Sequence, residues 1–194
     1  VIISDALRFE IGDELNKKIE NLDKFNSKIV PLIASLPSYT QIGKASLLPS
    51  GELGMPLPTK LNVTHNSNLS GGIINRAKIL DKEISKFNPY VSKVSDFLDL
   101  KGMECRETIK DHNVIYLYHD RIDATGDSKK TEGNVFEAVE YTIEELIKLV
   151  KKIGVSSSIN IFITSDHGFI YQNRNIQDSD FLSVQPEGEE IFHY

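Results

Sequence analysis

The chain has 194 residues and a formal net charge of -6, from 28 acids against 22 bases; 40% hydrophobic and 26% charged residues make it an ordinary globular composition. Its single cysteine, Cys105, excludes a disulfide scaffold and points to a reducing, cytoplasmic setting, and no apolar run nears the roughly 20 residues of a membrane span. Net acidity argues against a general nucleic-acid coat. The length suits one α/β domain. The opening on Val1-Ile2-Ile3 without Met, and the stop at Phe192-His193-Tyr194, read as a domain taken from a longer polypeptide.

In chain order, Val1–Ile3 is the first of three nearly continuous apolar runs, the others being 114–118 and 159–163. Such runs read as parallel strands buried on both faces. Leu7 to Ile19 repeats apolar residues at 7, 11, 15 and 19, which predicts a helix. Residues 28–34 form a fourth strand candidate, with Pro31 favouring an edge or a bulge. Leu36-Pro37-Ser38-Tyr39-Thr40-Gln41 leads into a helix through Ala45–Leu48. Ser50 to Asn113 interrupts the rhythm and reads as an insertion or cap, with helical pieces over 73–87, 95–100 and 104–109. Val135 to Ile153 is the clearest helix, ended by Gly154. The order implies a doubly wound or related three-layer α/β/α domain with a mostly parallel sheet.

Acids follow these strands. Ser4-Asp5 ends the first run, His119-Asp120-Arg121-Ile122-Asp123 follows the second, and Thr164-Ser165-Asp166-His167-Gly168 follows the third. Parallel strands share one C-terminal edge, where open α/β sheets bind ligands. Asp5, Asp123, Asp166 and His167 should therefore converge. Grouped carboxylates repel unless a cation holds them, and an Asp/His set suits Zn²⁺ or Mn²⁺. Asp127, four residues beyond Asp123, could turn onto the same ion. Each acid also has a plain alternative: Asp5 could cap the following helix, and Asp123 could belong to an Asx-turn. Thr40 could be a simple N-cap, or a hydroxyl at a helix N-terminus activated by a metal as a nucleophile; Ser38 is its rival. Arg8 and Lys44 are candidate partners for phosphoryl oxygens, with solvated surface charge as the slightly favoured alternative.

Four segments carry a family resemblance: 1–10, 36–41, 118–127 and 163–171. In that order they resemble the PglZ domain of the alkaline phosphatase superfamily, and the likeness extends over nearly the whole chain. The resemblance implies a three-layer fold and a two-metal phosphatase-type site, usually zinc. By position, Asp5 looks like the first-strand ligand, Thr40 like the metal-contacting nucleophile, and Asp166 and His167 like the pair completing the nucleophile-side site. Asp123 looks like the Asp of the second site. Related phosphodiesterases have Asp-x-x-Gly-His there, so Asp127 stands where a His is expected. A further downstream His ligand is usual, and His193 is the remaining candidate. His119 is preferred as a group behind the ligands, with His65 and His112 structural or at the surface.

The resemblance further implies phosphoester hydrolysis through a phosphothreonine intermediate, with a phosphodiester or nucleotide substrate, in a bacteriophage exclusion (BREX) or phage growth limitation system alongside other defence proteins. A second branch of the family is fused to response regulators. A metal-dependent mutase is a rival enzyme reading; a sulfatase is disfavoured because no Cys-x-Pro-x-Arg motif occurs. A non-catalytic metal- or nucleotide-binding docking module is the rival of another class. Direct DNA contact through Lys78, Lys82 and Lys86 is less economical than a solvated helix face, because Asp81 and Glu83 interleave with them.

Overall fold

The computed structural model describes residues 1–55, 62–127, 130–155 and 159–171. Its centre is a parallel four-stranded sheet in the order β5-β6-β1-β7, formed by β1 (Ile2–Ser4), β5 (Pro89–Lys93), β6 (Val114–His119) and β7 (Ile163–Thr164). Alternation along the central strands divides the core. Ile2 and Leu117 face one layer, with α1 (Phe9–Glu20), α4 (Val94–Asp99) and α7 (Val135–Ile153). Ile3, Tyr116 and Tyr118 face the other, with Ile79 and Leu80 of α3 (Gly72–Ile84) and Leu48 just beyond α2 (Thr40–Ser46). Both faces of β1 and β6 are thus covered, which is why these strands are apolar without a polar face. The result is the expected α/β/α arrangement.

The long helix α7 buries Val135, Ala138, Ile143, Leu146, Leu149, Val150 and Ile153, one stripe of a 3.6-residue period. In α1 the stripe is Ile11, Leu15 and Ile19. That helix starts at Phe9, two residues later than the apolar spacing suggests, because Ala6 turns the chain through the left-handed region at φ 60°. Arg8, not Asp5, stands at the N-cap, so the plain capping role for Asp5 is overturned.

Three further expectations need correction. Residues 28–34 form no strand: Val30, Leu32 and Ile33 are exposed, and Pro31 has no N–H to give a ladder. The 159–163 run is not buried on both faces. Only Ile163 and Thr164 are paired, at an edge, although Phe162 O still accepts a 2.7 Å hydrogen bond from Ile2 N. Residues 50–113 are not one cap, because β5 pairs in register with β6, Tyr90 opposite Ile115 and Ser92 opposite Leu117. Pro89 at its first position hid this strand, a place where an edge strand tolerates the missing N–H. What stands apart is the small antiparallel sheet of β2 (Leu53–Gly54), β3 (Thr64–His65) and β4 (Asn68–Leu69). The helical pieces at 95–100 and 104–109 are α4 and α5 (Gly102–Asp111), packed through Phe97 and Cys105 into the α7 layer.

Candidate metal centre

Parallel strand direction gathers the site. Asp5 leaves β1, Asp166 and His167 follow β7, and β6 runs through His119 into the short helix α6 (Arg121–Gly126), which carries Asp123 in its first turn. Opposite them, α2 presents Thr40 and Lys44.

Asp5 and Asp166 are both buried, at 2% and 3% exposure. His167 Nε2 lies 3.3 Å from Asp5 Oδ1, 3.8 Å from Asp166 Oδ2 and 3.9 Å from Asp123 Oδ1. Thr40 Oγ1 is 3.0 Å from the same nitrogen. The other ring nitrogen, Nδ1, is 2.9 Å from the Gly168 carbonyl, which can only accept, so Nδ1 carries a proton and Nε2 is the nitrogen that could coordinate an ion. A backbone carbonyl orienting a ligand histidine in this way is the usual support for a metal.

Ligand atoms of Asp5, Asp166 and His167 lie within 4.8 Å of one another. Asp5 Oδ1 and Asp166 Oδ2 are buried without a hydrogen-bond partner. Buried carboxylate oxygens without donors are costly unless a cation meets them. The donor set therefore fits a divalent ion: two hard oxygens and one imidazole nitrogen suit zinc or manganese. Asp123 approaches from the second side, and Asp127, at i+4 on the turn closing α6, is exposed at the rim. His193 lies outside the described residues.

The electrostatics carry the same message. Asp166 is pushed up to about 7 by burial and then by the negative charge of Asp5. Burial, with Asp5 and Asp127 adding, raises Asp123 to about 6. Close pairing with the Asp5 carboxylate raises His167 to about 9, against the opposing effect of burial. Burial would raise Asp5 as well, but its pairing with His167 and the charge of Lys44 outweigh that and hold it at about 2. Asp166, Asp123 and His167 all have folded-state values above their ordinary ones of 3.8, 3.8 and 6.5. These three groups bind extra protons in the folded metal-free chain, so the stability they contribute is full below their ordinary values and is lost as pH rises toward about 9, whereas Asp5, held low, acts in the opposite sense only as pH falls below its ordinary 3.8. Urea unfolding of the metal-free chain is expected to give a lower midpoint at about pH 8 than at about pH 5. Zinc should reverse the order, since it replaces protons at these ligands.

Several supporting features were not legible in the sequence. A Cβ on Gly43 would stand 2.5 Å from the Asp166 carbonyl oxygen, so α2 touches the ligand-bearing segment with its bare backbone. Gly43→Ala should push the two apart, lowering zinc affinity by roughly 10-fold or more, as displaced ligand supports do. Calorimetric titration with Zn²⁺ checks this; unchanged affinity would mean the segment yields freely. Ala6 N donates to Asp166 Oδ1 at 3.4 Å, which ties β1's exit to the same aspartate.

Arg8 is engaged with this segment. Its guanidinium donates to the Phe169 carbonyl at 3.1 Å, stacks 4.4 Å from the Phe169 ring and pairs with Glu10. His119 stands behind the site: its carbonyl accepts a 2.8 Å hydrogen bond from Asp5 N, its Nδ1 is 3.0 Å from Ser4 Oγ, and its Nε2 is 3.1 Å from Glu145, which Arg121 clamps with two hydrogen bonds. His65 is buried against the Pro49 carbonyl and His112 lies at the surface against that of Asn88, both structural roles. Ser38 is exposed, and Thr40 is the hydroxyl in contact with His167.

The model of the BREX system PglZ alkaline phosphatase-like domain matches residues 1–193. The alkaline phosphatase-like protein BrxZ of Escherichia coli O9:H4 (strain HS) is 40% identical over 191 residues, 96% of this chain and 22% of that protein. The alkaline phosphatase-like protein PglZ of Bacillus cereus (strain H3081.97) is 38% identical over 181 residues, 93% of this chain and 21% of its own length. The chain thus spans about a fifth of these curated relatives. No solved structure matches it. Taken with the parallel α/β/α sheet and the acids at its C-terminal edge, the match over 1–193 shows that this chain belongs to the PglZ family of alkaline phosphatase-like domains.

Proposed function

We propose that the chain is the catalytic core of a metal-dependent phosphoester hydrolase of a BREX defence system, with Thr40 as nucleophile at a two-metal site. The observation that carries this reading is the contact of Thr40 Oγ1 with His167 Nε2, 3.0 Å apart, beside two buried carboxylates that each keep an oxygen without a hydrogen bond. Asp5, Asp166 and His167 would hold one divalent ion, Zn²⁺ or Mn²⁺. Asp123 and Asp127 would hold the other. Bound ions supply Lewis-acid charge that lowers the pKa of a coordinated hydroxyl and neutralises phosphoryl oxygens.

The chain's own residues do the rest. α2 fixes the Thr40 oxygen against the ligand set, ready for in-line attack on phosphorus. The new Thr40 Oγ–P bond forms as the bond to the leaving alcohol breaks. Water then displaces the threonine oxygen, restoring the hydroxyl and releasing the phosphoryl product. The Arg8 contacts position the Asp166-His167-Gly168 segment, and Lys44 adds positive charge one turn from the nucleophile. The substrate class is a phosphodiester or nucleotide, and other proteins of the defence system are the expected partners. Among the described residues, no helix is long and apolar enough to cross a membrane.

Turnover of a nitrophenyl phosphodiester by the chelator-stripped protein, with Zn²⁺ or Mn²⁺ added back, tests the proposal. Hydrolysis that appears only with metal is expected; none at any metal concentration overturns it. A second reading, a non-catalytic metal- or nucleotide-binding docking module, draws on the imbalance between the two ligand sets: the second offers Asp123 and an exposed Asp127. Metal content separates them, since two ions per chain with turnover favours hydrolysis and one ion without turnover favours docking.

A further inference from the structure

The centre already contains a cation of its own. Lys44 Nζ is paired with Asp5 Oδ2 and lies 3.9 Å from Asp166 Oδ2, with its side chain only 10% exposed. Thr40 and Lys44 are four residues apart on α2, so one helix face delivers both the hydroxyl and the ammonium to the carboxylates. The ammonium sits on one oxygen of Asp5, leaving Oδ1 buried with the ion-pair contact of His167 Nε2 at 3.3 Å and no hydrogen bond, and Asp166 Oδ2 likewise has no hydrogen bond. Two carboxylates brought together away from water repel, and a positive charge between them offsets that repulsion.

We infer that Lys44 is a tethered stand-in cation, which holds Asp5 and Asp166 together in the metal-free chain and competes with the divalent ion for the oxygens it faces. The inference rests on the metal-centre reading proposed above. An ammonium carries one charge and no coordinate bond, whereas a divalent ion carries two charges and binds oxygen directly. The ion therefore displaces the ammonium, and metal affinity is lower than the ligand set alone would give. A displaced Lys44 stays rooted one turn from Thr40. There the anionic oxygens of a phosphoester offer it replacement partners.

The test is zinc affinity, read by competition with a chromophoric chelator, for the wild type, Lys44→Met and Lys44→Arg. Thermal melting of the metal-free forms is the second readout. Lys44→Met keeps the aliphatic stem without the charge. It is expected to bind zinc about tenfold more tightly, the scale on which groups beside a ligand tune a metal site, and to melt lower without metal. Lys44→Arg keeps the cation and should bind zinc no more tightly than the wild type.

Lys44→Gln, which can hydrogen-bond the carboxylates without charge, gives the same comparison if the methionine variant does not fold; tighter zinc binding is again expected. Equal or weaker zinc binding by a folded, uncharged variant overturns the inference and leaves the metal-centre reading standing. If the wild type and every variant bind neither Zn²⁺ nor Mn²⁺, the metal-centre reading fails and takes the inference with it.

Discussion

Thr40→Ala is expected to lower metal-dependent phosphodiester hydrolysis by roughly 10³-fold or more, as removal of a nucleophile does elsewhere. The fold should survive the change. Tyr39 is the N-cap of α2, and no side-chain capping bond is made there. Thr40 is half-buried, and alanine is the better helix former by a few tenths of a kcal/mol. The loss would then report chemistry and not a melted helix. Zinc affinity should fall much less than activity, because the buried carboxylates and His167 remain. A single-turnover experiment sharpens the result: the wild type should trap a phosphoryl group on Thr40, and the alanine variant should trap none. Equal turnover by wild type and variant would remove Thr40 from the nucleophile role.

The second large effect separates two aspartates that look alike in sequence. Asp5→Asn and Asp166→Asn should each cost the ion a carboxylate, weakening zinc binding beyond the roughly 10–100-fold typical of groups that merely support a ligand. Their effects on the metal-free chain should differ. Asp5 is held ionised by His167 and Lys44, so its loss leaves two buried cations without their main partner. Breaking such a pair costs about 3–5 kcal/mol. Asp166 is pushed up to about 7 by burial and by Asp5, so in mildly acidic buffer, where the comparison is made, it is largely a neutral acid. Asparagine has nearly the same shape, and its stability cost should be under about 1 kcal/mol. Paired chelator titrations and urea melts read both quantities. Equal destabilisation by the two variants would show that the charge is not divided between the aspartates in this way.

Much of the site was legible because strand direction and residue type make a strong joint statement. Apolar runs ending in Asp5 and in Asp166-His167, if parallel, must deliver those side chains to one edge, and they do. Asp123 joins them from α6, not from the strand end itself. The weaker expectations failed for identifiable reasons. A run of β-branched residues such as 28–34 specifies a strand only if a neighbour offers its backbone, and among the described residues none pairs with it. Pro89, Ser92 and Lys93 masked β5, whose edge position tolerates all three.

By itself, the sequence determined the family, the α/β/α class, the helices α1 and α7, and the identity of the acids and the histidine that face the centre. Those are properties of local pattern and motif order, which survive without coordinates. Only the tertiary structure decided what each group does for its neighbours. It divided the charge between Asp5 and Asp166, turned His167 Nε2 toward Thr40, and pressed Gly43 against Asp166. It also set Lys44 between two carboxylates that lie 39 and 122 residues away along the chain. Burial, distance and shared hydrogen bonds arise only when distant segments meet, and pKa values and metal affinity depend on all three.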